Sequence, residues 1–130
     1  MKNEIRQNVL VIEEEESISR LLARMLEDTC DVYTAKSTRD AIPQLLDRRP
    51  SAIVIDFDLD RDGGLDDLKV VRAIGATIPI VMLSNAEHQG EIEKGQKLGV
   101  DAILSKPFAV VDARTAVKNC IRLASQYALN

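Results

Sequence analysis

The sequence predicts an α/β protein: one doubly wound (βα)5 domain whose five-stranded parallel sheet is flanked by helices. Three observations predict it. Short runs rich in β-branched residues alternate five times with stretches whose apolar residues recur at helical spacing. Those runs are apolar throughout rather than at every second residue, as expected of strands covered on both faces, and such strands pair in parallel through right-handed crossovers. The chain has 130 residues, 45% of them hydrophobic, enough for one core, and no linker composition interrupts it. We therefore expect a single domain over residues 1–130, its core at about 8–126.

The elements follow in order. Val-Leu-Val-Ile at 9–12 reads as the first strand, and Ile18, Leu21, Leu22, Met25 and Leu26 mark a helix after it. Residues 31–35 form the second strand, before a helix carrying Ala41, Ile42, Leu45 and Leu46. Ala-Ile-Val-Ile at 52–55 is the third strand, with Leu65, Leu68, Val71 and Ile74 on its helix. Residues 78–83 are the fourth strand and lead into a helix at 87–98, from Glu87 to Leu98. Ala102, Ile103, Leu104 and Ser105 are the fifth, and Val110, Ala113, Val117, Cys120, Ile121 and Ala124 place the final helix. Ser37, Pro50, Gly63, Gly64, Gly75 and Gly99 punctuate short connections.

Composition excludes several classes of function. A net charge of -4 leaves no broad basic footprint, so direct binding of nucleic acid by this chain is not expected. Residues 1–7 are polar and lack the apolar core of a secretory signal. No apolar run approaches the roughly 20 residues that span a bilayer, so a cytoplasmic protein without membrane association is expected. Cys30 and Cys120 lack metal-ligand spacing and read as small buried hydrophobes; His88, in a polar stretch, reads as a solvated loop residue.

Ligands of doubly wound sheets collect beyond the carboxyl ends of the strands. There the sequence sets Glu13 and Glu14 after the first strand, Asp56 after the third, Ser84 at the end of the fourth and Lys106 at the end of the fifth. Carboxylates, a hydroxyl and an amine on one edge suit a hard divalent cation and a phosphoryl group, since oxygen ligands hold Mg²⁺ while Lys and a hydroxyl bind phosphate oxygens. Each residue also has a plainer reading. Glu15 and Glu16 suit the positive end of a helix, Ser84 can cap one, and Lys106 can be a solvated lysine. Order and joint placement favour the site.

This pattern resembles the receiver domain of two-component response regulators over nearly the whole chain, from Val9 to Ala124. Val-Leu-Val-Ile-Glu13-Glu14 stands where that family has a strand and an acidic pair, Ile-Val-Ile-Asp56 where it has the phosphoacceptor, Ser84 at its Ser/Thr, and Lys106-Pro107 at its lysine-proline motif, commonly cis. The resemblance implies a flavodoxin-like fold and a phosphoprotein of a phosphorelay rather than an enzyme. Asp56 would take a phosphoryl group from a sensor histidine kinase or phosphotransfer protein. Mg²⁺ would be held by Glu14, Asp56 and the backbone carbonyl of Asp58, with Glu13 acting through water. An output domain or a second copy would dock on the 87–98 helix, the strand from Ala102 and the final helix.

Four features depart from the family pattern. Each glutamate of the acidic pair is one methylene longer than the usual aspartate, and Mg²⁺ demands near-octahedral geometry at about 2.0–2.1 Å. The loop after Asp56 lacks Met-Pro, Asn85 replaces a smaller residue, and Ile103 replaces an aromatic. One alternative is therefore a degenerate receiver that binds partners without phosphorylation. Another arises because Asp56-Phe-Asp58-Leu-Asp60 is also similar to the Asp-x-Asp motif of haloacid-dehalogenase-type phosphohydrolases, with Asp58 as acid and base. There, however, the nucleophile follows the opening strand and a second acidic pair follows the lysine, whereas here only Asp112 does. Finally, Gly90 and Gly95 each cost the 87–98 helix about 1 kcal/mol relative to Ala, and Ile92 and Leu98 are its only apolar anchors, so it is expected to be weakly held and to switch.

Overall fold

A computed structural model describes residues 6–56, 64–85 and 89–129. Strands and helices alternate in sequence: β1 (Gln7–Ile12), α1 (Glu16–Leu26), β2 (Cys30–Ala35), α2 (Thr38–Arg48), β3 (Ala52–Asp56), α3 (Gly64–Ile74), β4 (Ile80–Asn85), α4 (Gln89–Lys97), β5 (Ala102–Lys106) and α5 (Val110–Leu129). All strand pairs are parallel in the order β2-β1-β3-β4-β5, so the expected doubly wound sheet is present. The order reverses between β1 and β3, which opens a crevice at their carboxyl ends.

Side-chain alternation divides each strand between two apolar layers. Val9 and Val11, Ala52 and Val54, Val81 and Leu83 face one layer, filled by Leu22, Met25 and Leu26 of α1 and by Ala113, Val117 and Cys120 of α5. Leu10 and Ile12, Ile53 and Ile55, Ile80 and Met82 face the other, filled by Ala41 and Leu45 of α2 and by Leu68 and Val71 of α3. Both cysteines are free and buried, as expected, and burial pushes the Cys120 thiol up to about 11. Among the described residues no helix is long and apolar enough to cross a membrane.

Strand boundaries shift by one or two residues from expectation, most clearly in β4. The fourth strand starts at Ile80 rather than 78, because the Ile78 N–H closes a turn onto Gly75 O and Pro79 has no N–H for a ladder. The fourth helix is described from Gln89; Glu87 and His88 lie outside the described residues.

The amino-terminal edge of the sheet is tied by Arg72 of α3. Its guanidinium donates to the carbonyls of Leu98 (3.3 Å), Gly75 (3.4 Å), Ala76 (3.3 Å), Ile78 (2.9 Å) and Gly99 (2.8 Å), joining the α3–β4 and α4–β5 connections. Asp101 Oδ2 accepts from Ile80 N at 2.9 Å and lies 3.8 Å from Arg72 Nη2. Gly99, at φ +80°, ends α4 in the left-handed conformation that glycine adopts without a steric penalty.

The two glycines of α4 stand in different surroundings. A Cβ at Gly90 would meet nothing within 4 Å, so that glycine simply costs helix propensity. A Cβ at Gly95 would stand 2.8 Å from Met82 Sδ and 2.9 Å from Met82 Cε. Gly95 therefore serves close packing of α4 on β4. Ile92 and Leu98 pack, partly buried, against the same layer.

Candidate functional site

The alternation that builds the core also builds the site. Val9, Val11 and Glu13 share one side of the first strand and its continuation, Ala52, Val54 and Asp56 one side of β3, and Ala102, Leu104 and Lys106 one side of β5. The first two members of each set belong to the layer under α1 and α5. At the carboxyl edge the third member of each set is ionisable, so three charged groups converge where the apolar face ends. Glu13 extends the ladder past Ile12, its N–H donating to Ala35 O at 2.9 Å.

Lys106 Nζ donates to Asp56 Oδ2 at 2.8 Å and lies 3.7 Å from Glu13 Oε2. The Asp56 and Glu13 side chains are 5% and 1% exposed, and that of Lys106 is 22% exposed. Burial pushes the Glu13 carboxyl up to about 8, helped by hydrogen bonding to Asp56 and by the charge of Asp56, against the pull of Lys106. Two buried carboxyls thus face one ammonium. Lys106-Pro107 is a cis peptide bond.

Ser84 is fully buried on β4. It follows Leu83, the register partner of Asp56, and lies across from Ser105, while Asn85 lies across from Lys106. Glu13, Asp56, Ser84 and Lys106 therefore meet at one edge, as the sequence reading requires. Glu14 is exposed, and among the described residues no three His, Cys, Asp or Glu side chains stand together as a metal-ligand group. Asp58, the expected carbonyl ligand, lies outside the described residues.

Two supports of Glu13 escaped sequence reasoning. The Glu15 N–H, at the start of α1, donates to Glu13 Oε1 at 3.2 Å, and the Ser19 hydroxyl donates to the Glu13 carbonyl at 3.4 Å. Ser19 was open to detection, since it falls on the same buried stripe of α1 as Leu22 and Leu26 and a hydroxyl there needs a polar partner. With Oε1 held, Glu13 Oε2 is buried without a hydrogen-bond partner among the described residues. That oxygen, 3.7 Å from the Lys106 ammonium, and the buried Asp56 carboxylate form a hard-oxygen donor pair that fits a divalent cation once Glu13 is ionised.

The model of the response regulator receiver domain matches residues 9–118. The chain is 31% identical over 119 residues to the alkaline phosphatase synthesis transcriptional regulatory protein PhoP of Bacillus subtilis, covering 91% of this chain and 50% of that protein. It is 30% identical over 113 residues to protein PilG of Pseudomonas aeruginosa, covering 85% and 84%. It spans about half the length of PhoP and of the KDP operon transcriptional regulatory protein KdpE of Escherichia coli. In fold it is similar to the chemotaxis response regulator CheY4 of Vibrio cholerae, with TM-score 0.80 at 24% identity over 89% of this chain and 99% of that one. A response regulator receiver domain protein from Clostridium thermocellum gives TM-score 0.85 at 22% identity, covering 93% and 98%.

Proposed function

Since the chain belongs to the response regulator receiver domain family, we propose that it takes a phosphoryl group onto Asp56 from a sensor histidine kinase or phosphotransfer protein, and alters its partner-binding surface in response. The observation that carries this reading is the Lys106–Asp56 bond of 2.8 Å at a buried strand end, with Glu13 and Ser84 at the same edge. The domain signals and is not a true enzyme. The haloacid-dehalogenase-type alternative loses its basis with the family assignment.

In the transfer, an Asp56 oxygen forms the new P–O bond as the donor's P–N bond breaks. The attacking carboxylate and its target are both negative, so charge must be offset and the groups held in line. Lys106, already on Asp56 Oδ2, would move to a phosphoryl oxygen and offset the charge of the product. Ser84 would donate a hydrogen bond to another phosphoryl oxygen, and that new bond is the change the rest of the domain reads. With Glu13 buried beside Asp56 and Glu14 exposed, the two glutamates exchange their expected roles: Glu13 and Asp56 would hold Mg²⁺, with Glu14 and the Asp58 carbonyl completing the set, and the ion would supply charge neutralisation and alignment. The output surface would be α4, β5 and α5, meeting an output domain or a second copy, in a cytoplasmic protein.

Mass spectrometry after treatment with acetyl phosphate and Mg²⁺ tests this. One added phosphoryl group is expected, on Asp56, absent from Asp56→Asn; modification that persists in that variant overturns the assignment.

The phosphorylation-independent receiver is the second reading, favoured by the exposure of Glu14 and by Lys106, which already offsets charge on Asp56 and Glu13. A Mg²⁺ titration separates the two. Glu13→Asp with Glu14→Asp is expected to tighten Mg²⁺ binding, because each shorter acid removes a methylene that the octahedral shell must accommodate. Equal affinity in the double variant would mean that the backbone has already adjusted to the longer acids.

A further inference from the structure

We infer that Met82 carries a change at Ser84 to α4, through its seat against the bare backbone of Gly95. The inference rests on the phosphoacceptor reading and names the route by which that site governs the output surface. Three observations meet at Met82. It shares a side of β4 with Ser84, two residues or about 7 Å further along the strand. Its register partners are Ile55, which precedes Asp56, and Ile103, which stands where an aromatic messenger is missing. Its thioether occupies the space a side chain at position 95 would need, so the α4 backbone rides directly on it.

Met82 is completely buried, and Leu68 Cδ2 of α3 lies 3.9 Å from the same Cβ position at Gly95. A close-packed interior transmits displacement because it lacks space to absorb it. Coupling also needs an element with discrete states, and the unbranched methionine side chain supplies these as rotamers. When Ser84 turns toward a phosphoryl oxygen, β4 shifts at its end, Met82 changes rotamer, and α4 must move because nothing at Gly95 cushions it. The glycine thus costs α4 intrinsic stability and in exchange gives it contact with the strand that carries Ser84.

The two helix glycines provide a matched comparison. Gly90→Ala and Gly95→Ala raise helix propensity alike, but only the second puts a Cβ where Met82 Sδ and Cε now sit, and so unseats the thioether. Hydrogen exchange over residues 89–98 of the full chain is measured with and without acetyl phosphate and Mg²⁺, with intact mass reporting phosphorylation of the same sample. Wild type and Gly90→Ala should change exchange by about fivefold or more, and Gly95→Ala by less than about twofold at the same extent of phosphorylation, fivefold being the lower end of ordinary coupling between sites. A phosphate-free arm uses Ser84→Val, which adds bulk at a fully buried position. It should alter α4 exchange in wild type and Gly90→Ala but leave it unchanged in Gly95→Ala and in Met82→Leu. A full response in Gly95→Ala in either arm overturns the route. A missing mass increase in wild type overturns the phosphoacceptor reading alone, because the Ser84→Val arm still decides the route.

Discussion

Replacing Lys106 with methionine is expected to lower the stability of the metal-free protein at neutral pH by about 3 kcal/mol, the cost of leaving a buried carboxylate without its cation. Methionine keeps much of the aliphatic stem, so packing changes little and the loss reports charge. The ammonium is 2.8 Å from Asp56 and 3.7 Å from Glu13, and both acids are at most 5% exposed, so water cannot replace it. The deficit should shrink as the pH falls through the range where Glu13 titrates, since protonating Glu13 removes one of the two charges that Lys106 offsets. Urea unfolding in a chelator, at pH 7.5 and again at pH 5, checks both parts (two conditions of about three-quarters and nearly full protonation of a group with pKa about 8). Equal stability of the variant and wild type at both pH values would show that Lys106 does not hold the pair together.

Glu13→Gln is expected to act in the opposite direction and stabilise the metal-free protein by about 2 kcal/mol at pH 8, a figure kept well below the full linkage value because Glu13 and Asp56 titrate together. The sign follows from where the proton goes. Folding raises the Glu13 carboxyl from 4.5 to about 8, so between those values the folded state holds a proton that the unfolded state has released. Stability from this group is therefore present below pH 4.5 and lost as the pH rises toward 8. Glutamine cannot lose a proton, and it keeps an oxygen for the Glu15 N–H. The quantity to measure is the difference between variant and wild type across pH 4.5–8, since other carboxylates tilt both curves alike. A difference that stays flat would remove the raised Glu13 from the account. Under the proposed function, added Mg²⁺ should reverse the order, because the ion favours the charged acid that glutamine lacks.

Much of this site was legible before the structure because the same residues that make buried strands also announce where they stop. Asp56 ends an apolar run, Ser84 and Lys106 end two more, and in a parallel sheet all such ends lie on one edge. The partition between Glu13 and Glu14 was not legible in the same way. Adjacent residues on an extended chain face opposite sides, but which of two glutamates continues the buried side depends on the register set by Ala35 and on the Glu15 N–H that holds Oε1. The raised Glu13 likewise depends on Asp56 and burial, both tertiary facts. Gly95 shows the limit most plainly. Helix propensity makes it a defect identical to Gly90, and only the position of Met82, thirteen residues earlier, separates a weak point from a contact. The start of the fourth strand was misplaced because Ile78 is as apolar as its neighbours, and its turn onto Gly75 leaves no mark in hydrophobicity.

The guanidinium of Arg72 grips the carbonyls of Leu98 and Gly99 just past the end of α4. That grip makes the helix a lever with a fulcrum at its carboxyl end. Gly95 lies three residues from Leu98 and Gln89 lies nine, or about 4.5 Å and 13.5 Å along the axis at 1.5 Å per residue. A push delivered at Gly95 is therefore magnified about threefold at Gln89. A sub-ångström rearrangement beneath the glycine would become a travel of an ångström or more at Gln89, and this amplification needs no loosening of the sheet.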